Sequence, residues 1–280
     1  MINQKNGRTH AIIPDTQCKP GVPLQHLKWA GQYLARKKPD VIIHLGDHWD
    51  MPSLSSYDRG TLGYEGRRYV DDIEAGINGM KLLMDPILKA IKDSKGTWKP
   101  KLIFLMGNHE QRIERAIQQD RKLEQLIGYK DLKLKEFGWT VYNFLEVVQI
   151  DGICYSHYFV SGAMGRPIGS AAALITKKHC SCVMGHIQKT EMSLGQTNAK
   201  GDPLLGLFAG FYYQHDEDYL GKQGNPKQRQ IWLLREVKNG FGYPQAIPLE
   251  YLKRRFSPKQ RNKAMTLKNK NRKGVIKKKS

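Results

Sequence analysis

The chain has 280 residues, of which 40% are apolar, and it carries a formal net charge of +20. This length is enough for one large domain with its own core, and the apolar content is ordinary for a soluble globular protein. The sequence contains no run of about 18 apolar residues that would predict a transmembrane helix. The polar residues 1–8 lack the apolar core of a secretion signal, so we expect a cytoplasmic protein with no membrane partner.

The positive charge is concentrated at one end of the sequence. Residues 253–280 contain 13 Lys and Arg and no Asp or Glu, so the other residues carry 33 basic and 26 acidic groups. Basic segments of this kind are usually disordered and often bind polyanions. We predict one domain over residues 8–252 and a basic, disordered tail over residues 253–280. Contact of the tail with nucleic acid and a merely solvated tail are both compatible with this composition.

The four cysteines, Cys18, Cys154, Cys180 and Cys182, fit neither a disulfide framework nor a C-x-x-C zinc pair. We therefore expect reduced thiols, as in cytosolic proteins. A strand through Cys180 and Cys182 would point both side chains to the same face.

The first half of the chain alternates strand and helix patterns. Short apolar runs predict strands at residues 9–14, 40–45 and 101–106. Helical spacing of apolar residues predicts helices at residues 22–37, 71–92 and 110–127. A stretch rich in Ser, Gly, Tyr and Arg predicts a long loop at residues 51–69.

The second half is rich in strands. Short strands are predicted at residues 140–144, 147–150, 153–156, 182–184, 204–209, 230–236 and 243–247, with one short helix at residues 170–178. Asp151-Gly152 is a hairpin turn signal. Alternation followed by a strand-rich half favours a layered α/β sandwich over a doubly wound sheet.

Polar turns that can bind metal follow five of these apolar runs. They are PDTQ at 14–17, GDHWD at 46–50, GNHE at 107–110, SH at 156–157 and GHIQ at 185–188. In open α/β architectures, ligand groups converge at the carboxyl ends of strands. One such turn alone is weak evidence, but five in order predict a shared site.

The ordered series DxQ, GDxxD, GNHE, SH and GHxQ resembles the calcineurin-like metallophosphoesterase family, whose pattern is DxH, GDxxD, GNH(E/D), H and GHxH. The resemblance spans residues 15–188. It implies an α/β/β/α sandwich of two mixed sheets and a hydrolase that cleaves phosphoesters with metal-activated water. The GDHWD loop and the insertion after it are similar to phage-encoded members, which would place the protein in the host cytoplasm.

The resemblance implies a role for each residue of the motifs. Asp47 would bridge two divalent ions, Mn²⁺ or Mg²⁺. The site of one ion would be completed by Asn108, His157 and His186. The other ion would be bound by Asp15, Gln17 and Gln188.

The resemblance also implies that His109 binds no metal. His109 would face the scissile phosphate as a general acid or electrostatic stabiliser, and Asp50 would accept a hydrogen bond from it. Two ions about 3.5–4 Å apart can hold both the attacking and the leaving oxygen, and a carboxylate has two oxygens with which to bridge them. A histidine with a pKa near neutrality can protonate the leaving alkoxide.

The sequence departs from the family pattern at two positions, because Gln17 and Gln188 stand where the family has histidines. A glutamine carbonyl is a harder and weaker ligand than imidazole. Three outcomes are open: the altered site favours Mg²⁺ or Mn²⁺ with extra water, it fills only with substrate present, or it stays empty.

Five further residues are candidates for substrate binding: Arg59, Arg67, Arg68, Arg166 and His48. A guanidinium group binds phosphate with two parallel hydrogen bonds. For the arginines a solvated loop explains the same residues, and for His48 a hydrogen-bonded structural role does so.

The basic tail and the loop arginines favour a phosphodiesterase or nuclease that acts on nucleic acid or nucleotides. A phosphomonoesterase with the same metal core and a non-catalytic nucleic-acid-binding module on the same fold are the alternatives. A phosphoprotein substrate is disfavoured because Met51 stands where protein phosphatases commonly have an Arg after GDxxD.

Overall fold

The computed structural model describes residues 7–56, 60, 64–196, 201–216 and 228–257. These residues contain eleven strands that form two sheets. In chain order they are β1 Arg8–Ile13, β2 Val41–His44, β3 Lys101–Leu105, β4 Thr140–Tyr142, β5 Val148–Ile150, β6 Ile153–Ser156, β7 Cys182–Met184, β8 Thr190–Gln196, β9 Pro203–Ala209, β10 Gln230–Lys238 and β11 Phe241–Pro248.

Both sheets are mixed. The first sheet has the order β11-β10-β1-β2-β3-β4, with β1 to β4 parallel and β10 antiparallel to both of its neighbours. The second has the order β5-β6-β7-β9-β8, with β6, β7 and β9 parallel and the two outer strands antiparallel. The parallel strands of each sheet end at one edge, which is where the polar turns of the sequence follow.

Five α-helices lie within the described part of the chain: α1 Gln25–Lys37, α2 Tyr69–Asp93, α3 Gln111–Gln119, α4 Ala171–Lys178 and α5 Leu249–Phe256. Helices α1, α2 and α5 pack on the outer face of the first sheet, and α4 packs on the outer face of the second. The two inner faces of the sheets share a separate apolar core. This arrangement confirms the predicted α/β/β/α sandwich of two mixed sheets.

Strand β1 shows why the central strands are continuous apolar runs. Ala11 and Ile13 face the helix layer, while Ile12 between them faces the second sheet. Side chains alternate between the two faces of a strand, so a strand covered on both faces is apolar throughout.

The structure differs from the predicted elements in three places: one helix is shorter than predicted, and one strand and one helix are additional. Helix α3 ends at Gln119 and a short 3-10 turn follows at Arg121–Leu123, so the helix predicted to residue 127 is too long. Strand β8 and helix α5 were not predicted. Helix α5 buries Leu249 and Leu252 and extends to Phe256, which carries regular structure beyond the predicted boundary at residue 252. Residues 258–280, most of the predicted tail, lie outside the described residues.

A polar contact joins the two sheets away from the site. His10 on β1 contacts the Tyr155 hydroxyl at 2.7 Å through Nδ1 and the Asp151 carboxylate at 2.8 Å through Nε2. Arg8 adds an ion pair to the same carboxylate. Asp151 and Gly152 both have positive φ, as the predicted hairpin turn requires.

Among the described residues, no helix combines the length and the apolar character that crossing a bilayer requires.

Burial of His26 generates a prediction about stability and pH. His26 is fully buried on α1, where burial and then the neighbouring His215 lower its pKa to about 3. Below pH 6.5 the His26 side chain is protonated in the unfolded chain but stays neutral in the folded chain. The free energy of unfolding therefore falls as the pH falls. The wild type should therefore lose about 2 kcal/mol between pH 7.5 and pH 5 through this residue alone.

The substitution His26→Gln removes the titrating group. We expect the unfolding free energy of the wild type, relative to that of the variant, to fall by about 2 kcal/mol from pH 7.5 to pH 5. Urea denaturation at both pH values measures it. An equal difference at the two pH values would show that His26 does not titrate in this way.

Candidate metal centre

The polar turns meet at one edge of the sandwich. The turns after β1, β2 and β3 come from the first sheet, and those after β6 and β7 come from the second. Backbone hydrogen bonds join neighbouring turns, since Asp47 O accepts from Gln17 N at 2.9 Å and His157 O accepts from Gly185 N at 2.9 Å. The side chains between these contacts therefore face a common space.

Four of the predicted ligands form a tight cluster. The metal-binding atoms of Asp47, His157 and His186 all lie within 4.8 Å of one another. Asn108 Oδ1 lies 2.9 Å from His157 Nε2 and 2.7 Å from His186 Nδ1. His157 Nδ1 lies 2.7 Å from the carbonyl oxygen of Leu45, so its N–H donates there and Nε2 is left facing the cluster.

The second group of predicted ligands lies beside this cluster. Asp15 Oδ1 accepts a hydrogen bond from His186 N at 3.1 Å. Asp15 Oδ2 and Gln17 Oε1 are buried and have no hydrogen-bond partner among the described residues. Buried oxygens are rarely left without a partner, so these two atoms fit a position that a cation would satisfy.

Gln188 has a protein partner. The Tyr213 hydroxyl donates to Gln188 Oε1 at 2.8 Å. A carbonyl oxygen has a second lone pair, so this bond limits the geometry of Gln188 as a ligand without removing it from the set. Tyr213 lies in the segment after β9 that runs beside the first turn, where Tyr212 N donates to Asp15 O.

The charges in the cluster also fit cations. Burial raises the pKa of Asp15, and the nearby Asp47 charge raises it further, to about 7. Burial alone would lower the pKa of His157, but the Asp47 carboxylate outweighs it and raises the pKa to about 9. The raised pKa at both residues means that bound protons stabilise this group of buried charges. Divalent cations at the same atoms would supply that compensation in place of the protons.

His109 lies against Asp50 as predicted from the motif. Its Nδ1 is 2.9 Å from Asp50 Oδ1 and 2.7 Å from Asp50 O. Its Nε2 lies 3.8 Å from Asp47 Oδ2, on the side of the metal ligands. The imidazole is thus held at one nitrogen and presents the other to the site.

Arg112, which was not predicted, lies beside His109. Its guanidinium donates to Asp50 O at 2.8 Å and to Met51 O at 3.2 Å, and its Nη2 lies 3.3 Å from His109 Nε2. The signal was present in the sequence, because Arg112 follows His109 by three residues and so lies on the same face of the turn that begins α3.

Glu110 is the other residue that motif reading missed. Its carboxylate is fully buried and accepts four backbone hydrogen bonds, from Asp47 N at 3.0 Å, His48 N at 2.7 Å, Trp49 N at 3.0 Å and Gly107 N at 2.8 Å. Glu110 therefore fixes the turn after β2 onto the turn after β3. Burial, together with the Asp47 charge, raises its pKa.

The backbone at the site is unusual. Gln17, Asp47 and His186 have positive φ values of 36°, 48° and 61°. Such conformations cost energy in non-glycine residues and concentrate at functional sites. A Cβ at Gly107 would collide with the Asp47 carboxylate, and a Cβ at Gly185 would collide with that of Asp15. The glycines of the motifs are therefore needed for the close approach of the turns.

The structure corrects the prediction that His48 contacts substrate. His48 is fully buried, with Nδ1 2.7 Å from Thr16 Oγ1 and Nε2 2.9 Å from the Gly76 carbonyl oxygen. Both ring nitrogens face protein groups in the interior. His48 thus has the structural role that was its alternative explanation.

The arginine candidates have different positions. Arg67 donates to Pro52 O at 3.2 Å and lies over the ring of Tyr64. Arg68 and Arg166 are exposed. Arg59 lies outside the described residues. Substrate contact by these four arginines therefore stays a prediction.

Fold and site together define a metal-binding α/β sandwich of the phosphoesterase type. The family model for calcineurin-like phosphoesterases matches residues 11–167. Because the match covers more than half of the sequence, the chain belongs to this family, which supports metal-dependent hydrolysis of phosphoesters.

Other comparisons add little. No curated protein matches the sequence. Chains of solved structures do match, and one crystal structure covers 87% of this chain and 99% of its own, at 11% identity and a TM-score of 0.39. At that distance the likeness carries no argument about function.

The four bonds of Glu110 generate a stability prediction. In Glu110→Gln one carboxylate oxygen becomes an amide nitrogen, so two buried N–H groups lose their acceptor. Hydrogen bonds to a charged group contribute about 1.5–3 kcal/mol each, so the variant should lose roughly 3 kcal/mol or more in unfolding free energy. Urea denaturation measures the loss.

The matched control is Glu74→Gln, on the exposed face of α2. Surface substitutions of this kind usually change stability by less than about 0.5 kcal/mol. Equal stability of the two variants would contradict the role assigned to Glu110.

Proposed function

We propose that the protein hydrolyses phosphodiester bonds of nucleic acid or nucleotides, with two divalent ions, Mn²⁺ or Mg²⁺. The observation that carries the proposal is the position of His109. It lies next to the predicted metal ligands, its Nδ1 is fixed by Asp50, and its Nε2, beside Arg112 Nη2, is directed to the place where a substrate would bind.

The donor set would hold two ions at neighbouring positions. Asp47 would be shared by both, and Asn108, His157 and His186, which cluster with it, would complete one of them. Asp15 and Gln17, with their unpartnered oxygens, would complete the other. When bound, the ions supply positive charge for the phosphoryl oxygens and lower the pKa of the attacking water.

His109 has the properties of a general acid. Burial by itself lowers the pKa of His109, but Asp47 and Asp50 outweigh burial and raise the pKa to about 9. The protonated ring donates through Nδ1 to Asp50 and keeps a proton on Nε2 for the leaving oxygen. Asp50 orients the ring and keeps it charged.

Arg112 supports a phosphate substrate at the same place. Its Nη2 and the Nε2 of the protonated His109 are both cationic donors, and they lie 3.3 Å apart. While His109 is protonated, neither nitrogen accepts from the other, so both fit a shared anionic acceptor. A phosphate oxygen is such an acceptor.

The preference for a phosphodiester of a nucleic acid rests on charge. The chain carries a formal net charge of +20, most of it in residues 253–280, and a basic segment raises the local concentration of a polyanionic substrate. The same metal ligands serve monoesters, so a phosphomonoesterase is the first alternative. The second alternative is the non-catalytic module. It does not explain why His109, Asp50 and Arg112 are arranged together.

The assay uses bis-p-nitrophenyl phosphate and p-nitrophenyl phosphate with Mn²⁺. We expect faster turnover of the diester, loss of activity with EDTA and recovery with Mn²⁺. Removal of the general acid in His109→Ala should lower kcat by about 10²–10⁴-fold. The control His179→Ala, at an exposed histidine at the end of α4, should keep wild-type activity.

The outcomes separate the alternatives. Faster turnover of the monoester would replace the diesterase with a monoesterase. A wild-type chain inactive with every divalent metal, but binding DNA in a salt-sensitive way that is lost on removing residues 258–280, would favour the non-catalytic module.

Asp50→Asn tests how His109 is positioned. Losing the negative partner should lower the pKa of His109, because a neutral amide no longer stabilises the protonated ring. The alkaline limb of the pH profile of kcat/KM should therefore move to lower pH. A profile that falls by a constant factor at every pH would mean that Asp50 acts on packing alone.

A further inference from the structure

Three cysteines that the sequence separates meet at the second sheet. Cys180 Sγ lies 3.6 Å from Cys154 Sγ and 3.5 Å from Cys182 Sγ. Cys154 and Cys182 lie close enough for each to affect the pKa of the other. All three are free thiols; Cys154 and Cys180 are half-buried and Cys182 is buried.

The parallel pairing of β6 and β7 creates this cluster. Cys154 and Cys182 are register partners on neighbouring strands. Cys180 precedes Cys182 by two residues, so its side chain lies on the same face. Cys154 N donates to Ser181 O at 2.9 Å, which fixes the approach of the two chain segments.

The spacing of the sulfurs fits a soft cation. A tetrahedral Zn²⁺ site with Zn–S bonds of about 2.3 Å places its sulfurs about 3.8 Å apart. The two separations from Cys180, to Cys154 and to Cys182, are within a few tenths of an ångström of this value, and side-chain rotation would adjust the position of the third sulfur. Thiolates favour soft or borderline cations such as Zn²⁺ over the Mg²⁺ and Mn²⁺ expected at the carboxylate-rich site.

Access and charge are also suitable. Cys180 lines a surface cleft of about 410 Å³ that Asp202 and Asn239 also border. Burial raises the pKa of the Cys180 thiol, and Lys178 partly offsets that rise. Hydrogen bonding lowers the pKa of the Cys154 thiol and raises that of Cys182, so Cys154 is the thiol that most readily offers a thiolate to a metal.

We propose that Cys154, Cys180 and Cys182 form a second metal site, distinct from the phosphoesterase centre, which binds one Zn²⁺ or similar thiophilic cation. Each S–H bond is replaced by a bond to the metal, so binding at three thiols releases three protons. A fourth position is open to water from the cleft. The inference does not depend on the proposed function.

The position of this site gives it a structural role. Cys154 and Cys182 lie on β6 and β7, whose carboxyl ends continue into His157 and His186. A cation at the cysteines joins the two strands that carry these two histidines. It therefore stabilises the spacing between them without touching either one.

The test uses Cd²⁺ as a spectroscopic probe for the full-length reduced protein, after removal of metals by EDTA and dialysis. Thiolate coordination produces an ultraviolet charge-transfer band that oxygen and imidazole ligands do not produce. We expect the band to saturate at one Cd²⁺ per chain. Cys180→Ser should weaken binding by more than about tenfold, since a ligand is lost. The control Asp47→Asn, which alters only the phosphoesterase centre, should keep the band.

A second measurement needs no variant. Alkylation of the wild-type thiols by iodoacetamide, mapped by mass spectrometry, should slow at least about tenfold at Cys154 and Cys180 when Zn²⁺ is added in excess of all three proposed positions. The absence of a charge-transfer band, an unchanged band in folded Cys180→Ser, or equal labelling with and without Zn²⁺ would overturn the proposal.

Discussion

The site depends on one buried carboxylate that is neither a metal ligand nor a proposed catalyst. Glu110 accepts four backbone N–H groups from the turns after β2 and β3. These bonds hold Asp47 in a left-handed conformation that it would otherwise avoid. They also place His109, the residue before Glu110, with its backbone N–H on the Asp47 carboxylate. The geometry of the proposed metal bridge and that of the proposed acid therefore share one anchor.

Around this anchor several carboxylates lie buried close together. Glu110 is compensated by backbone N–H groups, whereas burial and the Asp47 charge raise the pKa of Asp15. Burying carboxylates is costly unless they are paired. The raised pKa values of Asp15 and His157 indicate that protons reduce that cost, and divalent cations at the same atoms would reduce it further. The buried charge is therefore consistent with the metal dependence of the family.

The sequence was sufficient to predict the layers and most strands, because buried strands in this fold are short apolar runs bounded by polar turns. It was also sufficient to group the turns that carry Asp47, Asn108, His157 and His186, since each follows such a run, but the assignment of these four residues to one ion came from the family resemblance. It missed β8, a strand without full burial, and α5, whose short apolar face lies in a basic region. The sequence motifs could not show that the His48 side chain is buried, or that the Glu110 carboxylate accepts hydrogen bonds from backbone N–H groups. The meeting of three cysteines depends on strand register, which the spacing of residues along one chain does not contain.

The proposed function requires two cations that share the Asp47 carboxylate. Anomalous diffraction from crystals grown with Mn²⁺ locates each ion independently of any assay. We expect two peaks about 3.5–4 Å apart, with Asp47 between them, one beside Asn108, His157 and His186 and the other beside Asp15 and Gln17. A single peak, or no peak, at saturating Mn²⁺ would exclude the shared pair of cations.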